Sequence, residues 1–319
     1  MKATRNLVIL LAALGSVMIC LRGGKTQVPP GKEVRKEGLF IVNHGTIRSL
    51  GLDENDMMAL VYGLDEIPGF VGQYTVIELN VGGDRERGGL ESRLIRVWIG
   101  RERKAYLRIE CVVCQAKESA RAWLKALLDP RNSSGSPMFR QGSFSGLPLG
   151  DECWRIPKFA IIFFTVGRVY VAIQASGEED LFAEALGVGI EYFIRLHPKR
   201  LAEASKPLTV LVAHQPVGQG KAISLSGVAV APISVFEPAQ VSIKTNRTSK
   251  EWVVTATRDG RWVKVRAFSW EMETGKGRVK LERPVFPYKG ELIVPLRQIA
   301  EALGIGVHQK GQTIALMAK

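Results

Sequence analysis

Val285-Phe-Pro-Tyr-Lys-Gly-Glu-Leu-Ile-Val-Pro-Leu-Arg-Gln-Ile-Ala-Glu-Ala-Leu-Gly-Ile-Gly-Val307, followed by Thr313-Ile-Ala-Leu316, is the stretch whose reading decides the fold. A strand ends at Val294, and Pro295 enters a helix. Pro is preorganised for a first helical turn, and Gly for the position just past the last. Leu296, Ile299, Ala300 and Leu303 share one face at helical spacing, and Gly304 caps the C-terminus. A final hairpin completes the unit.

Upstream, the composition shifts toward Val, Thr, Ser and Lys. Strands are expected at Thr209–Ala213, Val241–Lys244, Glu251–Thr257 and Trp262–Arg266. Between the last two lies Arg258-Asp-Gly-Arg261. Asp-Gly supplies the positive φ that a tight hairpin turn requires.

Gly290, Val294-Pro295-Leu296-Arg297, Ile299-Ala300-Glu301-Ala302-Leu303-Gly304, Val307 and Thr313-Ile314 together resemble the copper amine oxidase N-terminal-like (stalk) domain. Gly227-Val228 and Gly260-Arg261-Trp262 extend the likeness upstream. His308-Gln309-Lys310 departs from it, since the family often has an aromatic–acidic pair there. In copper amine oxidases the metal and the quinone sit in a separate catalytic domain. The resemblance therefore implies no cofactor and no metal. It implies an extracytoplasmic adhesion, spacing or surface-attachment module, with Arg297 facing solvent or paired within the module.

Residues 37–204 alternate strands and helices. Tyr74–Val81 reads as a strand, and Leu94–Ile99 with Ala105–Val113 as a hairpin around Gly100–Arg103. A helix follows over Lys117–Leu128, with Trp123, Leu124, Leu127 and Leu128 as its apolar stripe. Phe159–Phe164 and Val169–Ile173 form a second hairpin around Gly167-Arg168. A second helix runs from Glu179 to Leu196 and buries Leu181, Phe182, Ala185, Ile190, Phe193 and Ile194. Arg131–Leu149, rich in Gly, Ser and Pro, is a loop. Two hairpin-then-helix units predict an α+β fold: an antiparallel sheet with helices on one face, plus a small β-rich α+β stalk-like domain.

At the other end, Lys2 and Arg5 precede an apolar run from Leu7 to Leu14, resumed at Val17–Leu21. Charge followed by a short apolar run reads as an export signal. Cleavage, retention as a membrane anchor and lipidation at Cys20 are all open readings. The expected organisation is 1–24 signal or anchor, 25–36 linker, 37–204 α+β domain and 205–319 stalk-like domain.

The chain has 319 residues and a formal net charge of +13. Such a surface attracts anionic partners. The Lys and Arg residues are dispersed in sequence and no RNA-type aromatic motif occurs, which argues against nucleic acid. A cell-wall polymer or another envelope protein fits better.

The sharpest short motif is Cys111-Val-Val-Cys114. Together with Cys153 it offers three readings: structural or disulfide-bonded cysteines, redox thiols, or part of a metal site. On a strand, residues three apart point to opposite faces, which opposes a local disulfide. His44, His197, His214 and His308 do not cluster in sequence, so metal chemistry has little support. Gly142-Ser-Phe-Ser-Gly146 lacks a central serine, so it is no hydrolase elbow. The expectation is a non-catalytic envelope protein with a binding, tethering or scaffold role. The alternatives are a thiol-redox enzyme and a wall-polymer binder using the first domain.

Overall fold

A computed structural model describes residues 34–36, 39–42, 67–79, 90–100, 106–128, 140–141, 149–156, 159–178, 180–196, 201–202, 207–218 and 220–318. The export segment, Cys20, His44, His197 and the Gly142–Gly146 segment lie outside these residues. The described chain is mostly β-sheet, with a β-rich C-terminal unit.

The first unit is one nine-stranded sheet. Its strands are β1 (Val34–Lys36), β2 (Leu39–Val42), β3 (Phe70–Leu79), β4 (Leu90–Gly100), β5 (Tyr106–Cys114), β6 (Arg140–Gln141), β7 (Glu152–Ile156), β8 (Ile161–Val166) and β9 (Val169–Ser176). They lie in the order β1-β2-β3-β4-β5-β9-β8-β7-β6. Only the β2–β3 pairing is parallel. β1 falls within the segment expected as linker, and β6 within the Gly/Ser loop. The two expected hairpins, β4–β5 and β8–β9, are present and meet through β5 and β9.

β5 thus sits mid-sheet, and Leu107 to Cys114 are all buried. Its alternate side chains enter two different cores. Ile109, Cys111 and Val113 join one, and Val112 and Cys114 the other. Helix α1 (Lys117–Leu128) closes the second core with Ala120 and Leu124, over Ile161, Phe163 and Tyr170. Helix α2 (Asp180–Leu196) closes the first, over Ile162, Phe164, Val171 and Ile173. The helices therefore lie on opposite faces, which corrects the expectation of a single helical face. The physical reason is that Val112 and Cys114, on the face opposite Ile109 and Cys111, also need cover, while Arg108 and Glu110 on that face are buried as an ion pair (2.8 Å).

The C-terminal unit contains β10 (Thr209–Val212), β11 (Gln215–Val217), β12 (Ile223–Leu225), β13 (Val228–Pro232) and a 3-10 helix (Ile233–Ala239). Next come β14 (Ser242–Arg247), β15 (Trp252–Arg258), β16 (Arg261–Arg266), β17 (Glu271–Thr274) and β18 (Gly277–Lys280). The chain ends with β19 (Phe286–Tyr288), β20 (Glu291–Pro295), α3 (Leu296–Ala302), β21 (Ile305–Lys310) and β22 (Thr313–Ala318). These form three sheets: β11-β10-β22-β21, β12-β13-β20-β19 and β14-β15-β16-β17-β18. β10 pairs in parallel with β22, so the unit's first strand is locked to its last. Leu296, Ile299, Ala300 and Leu303 are buried among Val254, Val265, Val294 and Ile314, as the helical spacing requires. Gly304 has φ +72°, the left-handed conformation that ends such a helix. Asp259 and Gly260, at φ +47° and +74°, make the β15–β16 turn. Arg258 reaches from that turn to donate to the Gly304 carbonyl (3.4 Å), placing a cation at the negative end of α3.

The two units share a core through α2. Residues Ala183 to Ile194 are buried without interruption, all round the helix. On the side away from the nine-stranded sheet, α2 meets the β12-β13-β20-β19 sheet and the segment around Phe268 and Trp270. The Tyr192 ring packs 5.1 Å from Phe286 and 5.2 Å from Tyr288. Its hydroxyl donates to the Lys221 carbonyl (2.6 Å), and Trp270 Nε1 donates to the Leu181 carbonyl (3.0 Å). Gly187 lets the first unit approach α2 closely, and Gly189 faces the second. A Cβ at Gly187 would lie 2.7 Å from Leu149, and one at Gly189 3.4 Å from Phe286. Leu181, expected in the core, is 49% exposed, because the neighbouring turn of α2 faces both units and leaves it outside.

Candidate functional site

The three described cysteines are buried thiols in two separate places. Cys111 and Cys153 lie on the α2 side of the sheet, and Cys114 lies under α1. β9 and β8 separate β5 from β7. Three strand spacings, about 14 Å, therefore part Cys111 from Cys153. A disulfide needs Cα atoms within about 7 Å. Cys114 is further removed by facing the opposite side. Of the readings open from the sequence, a disulfide from Cys153 to either of the pair does not fit this geometry. Burial pushes the Cys111 thiol well above its usual range, and the nearby Glu110 carboxylate adds to this. Burial does the same to Cys153, with Glu184 adding to it. Reactive thiols require the reverse environment, cationic and partly open.

The more organised polar feature surrounds α2, and the sequence reading did not find it. Glu191 accepts from Arg195 Nε (2.8 Å), one helical turn apart. Arg195 also pairs with Asp151 (3.3 Å), which lies before β7. Asp151 in turn accepts the Gly167 N–H (2.9 Å) and faces Lys117 Nζ (3.4 Å) at the start of α1. Burial raises the Asp151 pKa, but the Gly167 N–H, Lys117 and Arg195 outweigh it and hold the carboxyl below its ordinary value. On the next turns of α2, Glu184 accepts from Arg155 (2.9 Å). Burial outweighs that cation, and the Glu184 pKa rises to about 7. Arg283 approaches from the C-terminal unit. It is fully buried, donates Nε to the Leu225 carbonyl (3.4 Å), and feels the field of Glu191.

This network ties β7 and both helices together, with the Arg283 charge of the C-terminal unit near Glu191. Each cation faces a carboxylate or a carbonyl, so the network is built to position elements. Among the described residues, no group of three His, Cys, Asp or Glu converges as metal ligands. His214, in the β10–β11 turn, and His308, on β21, are exposed on the same sheet, with β22 between their strands. Arg297 is exposed and lies 4.0 Å from Glu301. Among the described residues, no helix is long and apolar enough to cross a membrane.

Three small sheets, one short α-helix and a 3-10 helix make the C-terminal unit β-rich. Residues 226–317, from the β12–β13 turn into the last strand, match the family model of the copper amine oxidase N-terminal domain. No curated protein and no solved structure matches the chain. The match carries the identification of the C-terminal region alone. It begins after β10 and β11, although the β10–β22 pairing makes both part of the same folded unit.

Proposed function

We propose that the chain is an exported, non-catalytic protein of a bacterial-type cell envelope with a binding or surface-scaffold role. The observation that carries this reading is the match of residues 226–317 to a non-catalytic, stalk-like domain. The charged and apolar Met1–Cys20 segment supports export. The shared core around α2 supports scaffold work, because a load on one unit passes to the other through packed aromatic rings. The buried, high-pKa thiols speak against a redox first unit. The partner is a wall polymer or another envelope protein.

Fractionation of producing cells with N-terminal sequencing tests export. The expected product is extracytoplasmic; an intact chain in the cytosol, still carrying Met1, contradicts it. Thiol labelling at neutral pH tests the non-catalytic reading. Cys111, Cys114 and Cys153 are expected to stay unlabelled until the protein unfolds. A fast-reacting thiol in the native protein favours the redox enzyme instead.

A further inference from the structure

Part of the +13 charge lies in one segment that folds as a single sheet. Between Ser242 and Lys280 there are ten Lys and Arg residues against four Asp and Glu. This span is the five-stranded sheet β14 to β18. Arg247, Arg258 and Arg261 alternate to its inner side and Lys250 and Lys276 lie in its turns, so its outer face carries Lys244, Lys264, Arg266, Arg278 and Lys280 against Glu271 and Glu273. Its inner face, with Trp252, Val254, Ala256, Val263, Val265 and Met272, closes the C-terminal core. Its outer face is mostly polar and exposed, with Val253 buried within it.

The strand register lays that outer face out in rows. Lys244, Thr255, Lys264, Glu273 and Arg278 lie side by side across all five strands. The next row holds Asn246, Val253 and Arg266, with Glu271 opposite Lys280 beyond it. Lys264 with Arg266, and Arg278 with Lys280, therefore form two cationic rails along β16 and β18. Alternate residues on a strand recur at about 6.8 Å. Between the rails, Glu273 lies 3.5 Å from Lys264 and Glu271 lies 4.0 Å from Arg278. Lys264, Arg266, Ser269, Glu271, Glu273 and Arg278 line a shallow depression of about 120 Å³. At the end of the same face Thr257 lies opposite Trp262, whose ring is 37% exposed.

We infer that this outer face is a docking surface for an acidic polysaccharide, a glycan chain bearing carboxylate or phosphodiester groups. The inference rests on the proposed envelope role and names the surface and partner chemistry for it. The surplus of cations complements an anionic chain. The two rails meet acid groups repeated along that chain, and the shallow floor accepts an extended polymer. Trp262 offers a flat apolar ring, and the Thr hydroxyls and Asn246 amide offer hydrogen bonds to sugar hydroxyls. A lipid surface is a poorer match, since membrane docking uses an apolar face to enter the headgroup boundary.

The test is affinity electrophoresis of the purified full chain in gels containing alginate, a glycerol-phosphate polymer, neutral dextran or no polymer. Single-stranded DNA and anionic phospholipid vesicles serve as competitors. Alginate is expected to retard the chain and dextran is not. Equal or stronger retardation by the glycerol-phosphate polymer, which carries no sugar ring, overturns the polysaccharide assignment. Retardation by alginate alone assigns it to a carboxylated glycan. The double variant Lys264→Glu with Arg278→Glu is expected to weaken binding about tenfold and to flatten its salt dependence. A double variant of equal charge change away from the sheet, Lys125→Glu with Lys310→Glu, is expected to bind nearly as the parent does. Trp262→Ala is expected to weaken alginate binding about threefold, a stacking-sized loss. Unchanged binding there overturns the sugar assignment. No retardation by either polymer at low salt, equal loss in both double variants, or tighter binding to DNA or vesicles overturns the inference. Each variant is checked for an unchanged thermal midpoint, so that a folding defect is not read as lost binding. The assay is independent of location. A cytosolic chain that binds through this face sinks the export reading alone, and an exported chain that fails to bind sinks this inference alone.

Discussion

Helices α1 and α2 each follow a hairpin and each cover one face of the same sheet, yet they are buried to very different extents. α1 presents Ala120 and Leu124 to the sheet and leaves Glu118 and Lys125 in solvent. α2 is buried from Ala183 to Ile194. The difference lies in what stands behind them. A second unit packs on the back of α2, where Gly189 lies against Phe286 and Tyr192 and Phe193 fill the joint. Its carboxylates Glu184 and Glu191 face Arg155 and Arg195. The lesson is that a helix sandwiched between two sheets couples two units, whereas a helix on one sheet stabilises only its own.

Substitutions in the two helices should separate these roles. The largest effect is expected from Tyr192→Ala. It removes two ring contacts and a hydrogen bond across the joint. Large-to-small changes of a buried aromatic cost about 3–5 kcal/mol. Urea unfolding should then split into two steps as the units uncouple. Leu124→Ala in α1 is expected to cost about 2–4 kcal/mol while keeping a single transition. A split there as well would erase the distinction between the helices.

A pH series sharpens the comparison further. Burial lifts Glu184 from an ordinary 4.5 to about 7, so the folded state holds a proton that the unfolded chain releases at lower pH. Stability from this group is full below about pH 4.5 and is lost as pH rises through about 7. Glu184→Gln should flatten that fall, by about 1–3 kcal/mol across the interval. Asp151 works in the opposite sense. Its pKa is lowered, so its contribution is present above its unfolded value and is lost as pH falls through the folded one. The smallest effect is expected from Lys125→Ala on the exposed side of α1. It should shift the unfolding free energy by about 0.5 kcal/mol or less.

Much of the local structure was legible in the sequence. Lys117–Leu128 forms the helix its stripe predicts, because Trp123, Leu124 and Leu128 recur at helical spacing. The Asp259-Gly260 turn and the Val294–Gly304 strand-to-helix unit follow from backbone chemistry that only a few residue types satisfy. The family likeness at the C-terminus rested on those same residues, and the match over 226–317 agrees with it. What escaped was non-local. The parallel pairing of β10 with β22 joins strands about a hundred residues apart and leaves no local signal. The covering of both faces of β5 was hinted at by the apolar run Cys111-Val-Val-Cys114, which does not alternate as a one-sided strand would. Gly187 and Gly189 inside a helical pattern were the available sign of close packing, since glycine costs helix stability unless something must approach. Asp151 and Arg195 are far apart in sequence, and nothing in either neighbourhood announces the pair.

Equilibrium urea unfolding of the full chain tests the central claim most directly. Thiol labelling of Cys111 and Cys153 reports the first unit, and amide exchange of β15 and β20 reports the second. Coincident midpoints are expected if α2 joins the two units into one cooperative core. Well-separated midpoints in the unmodified chain would contradict it.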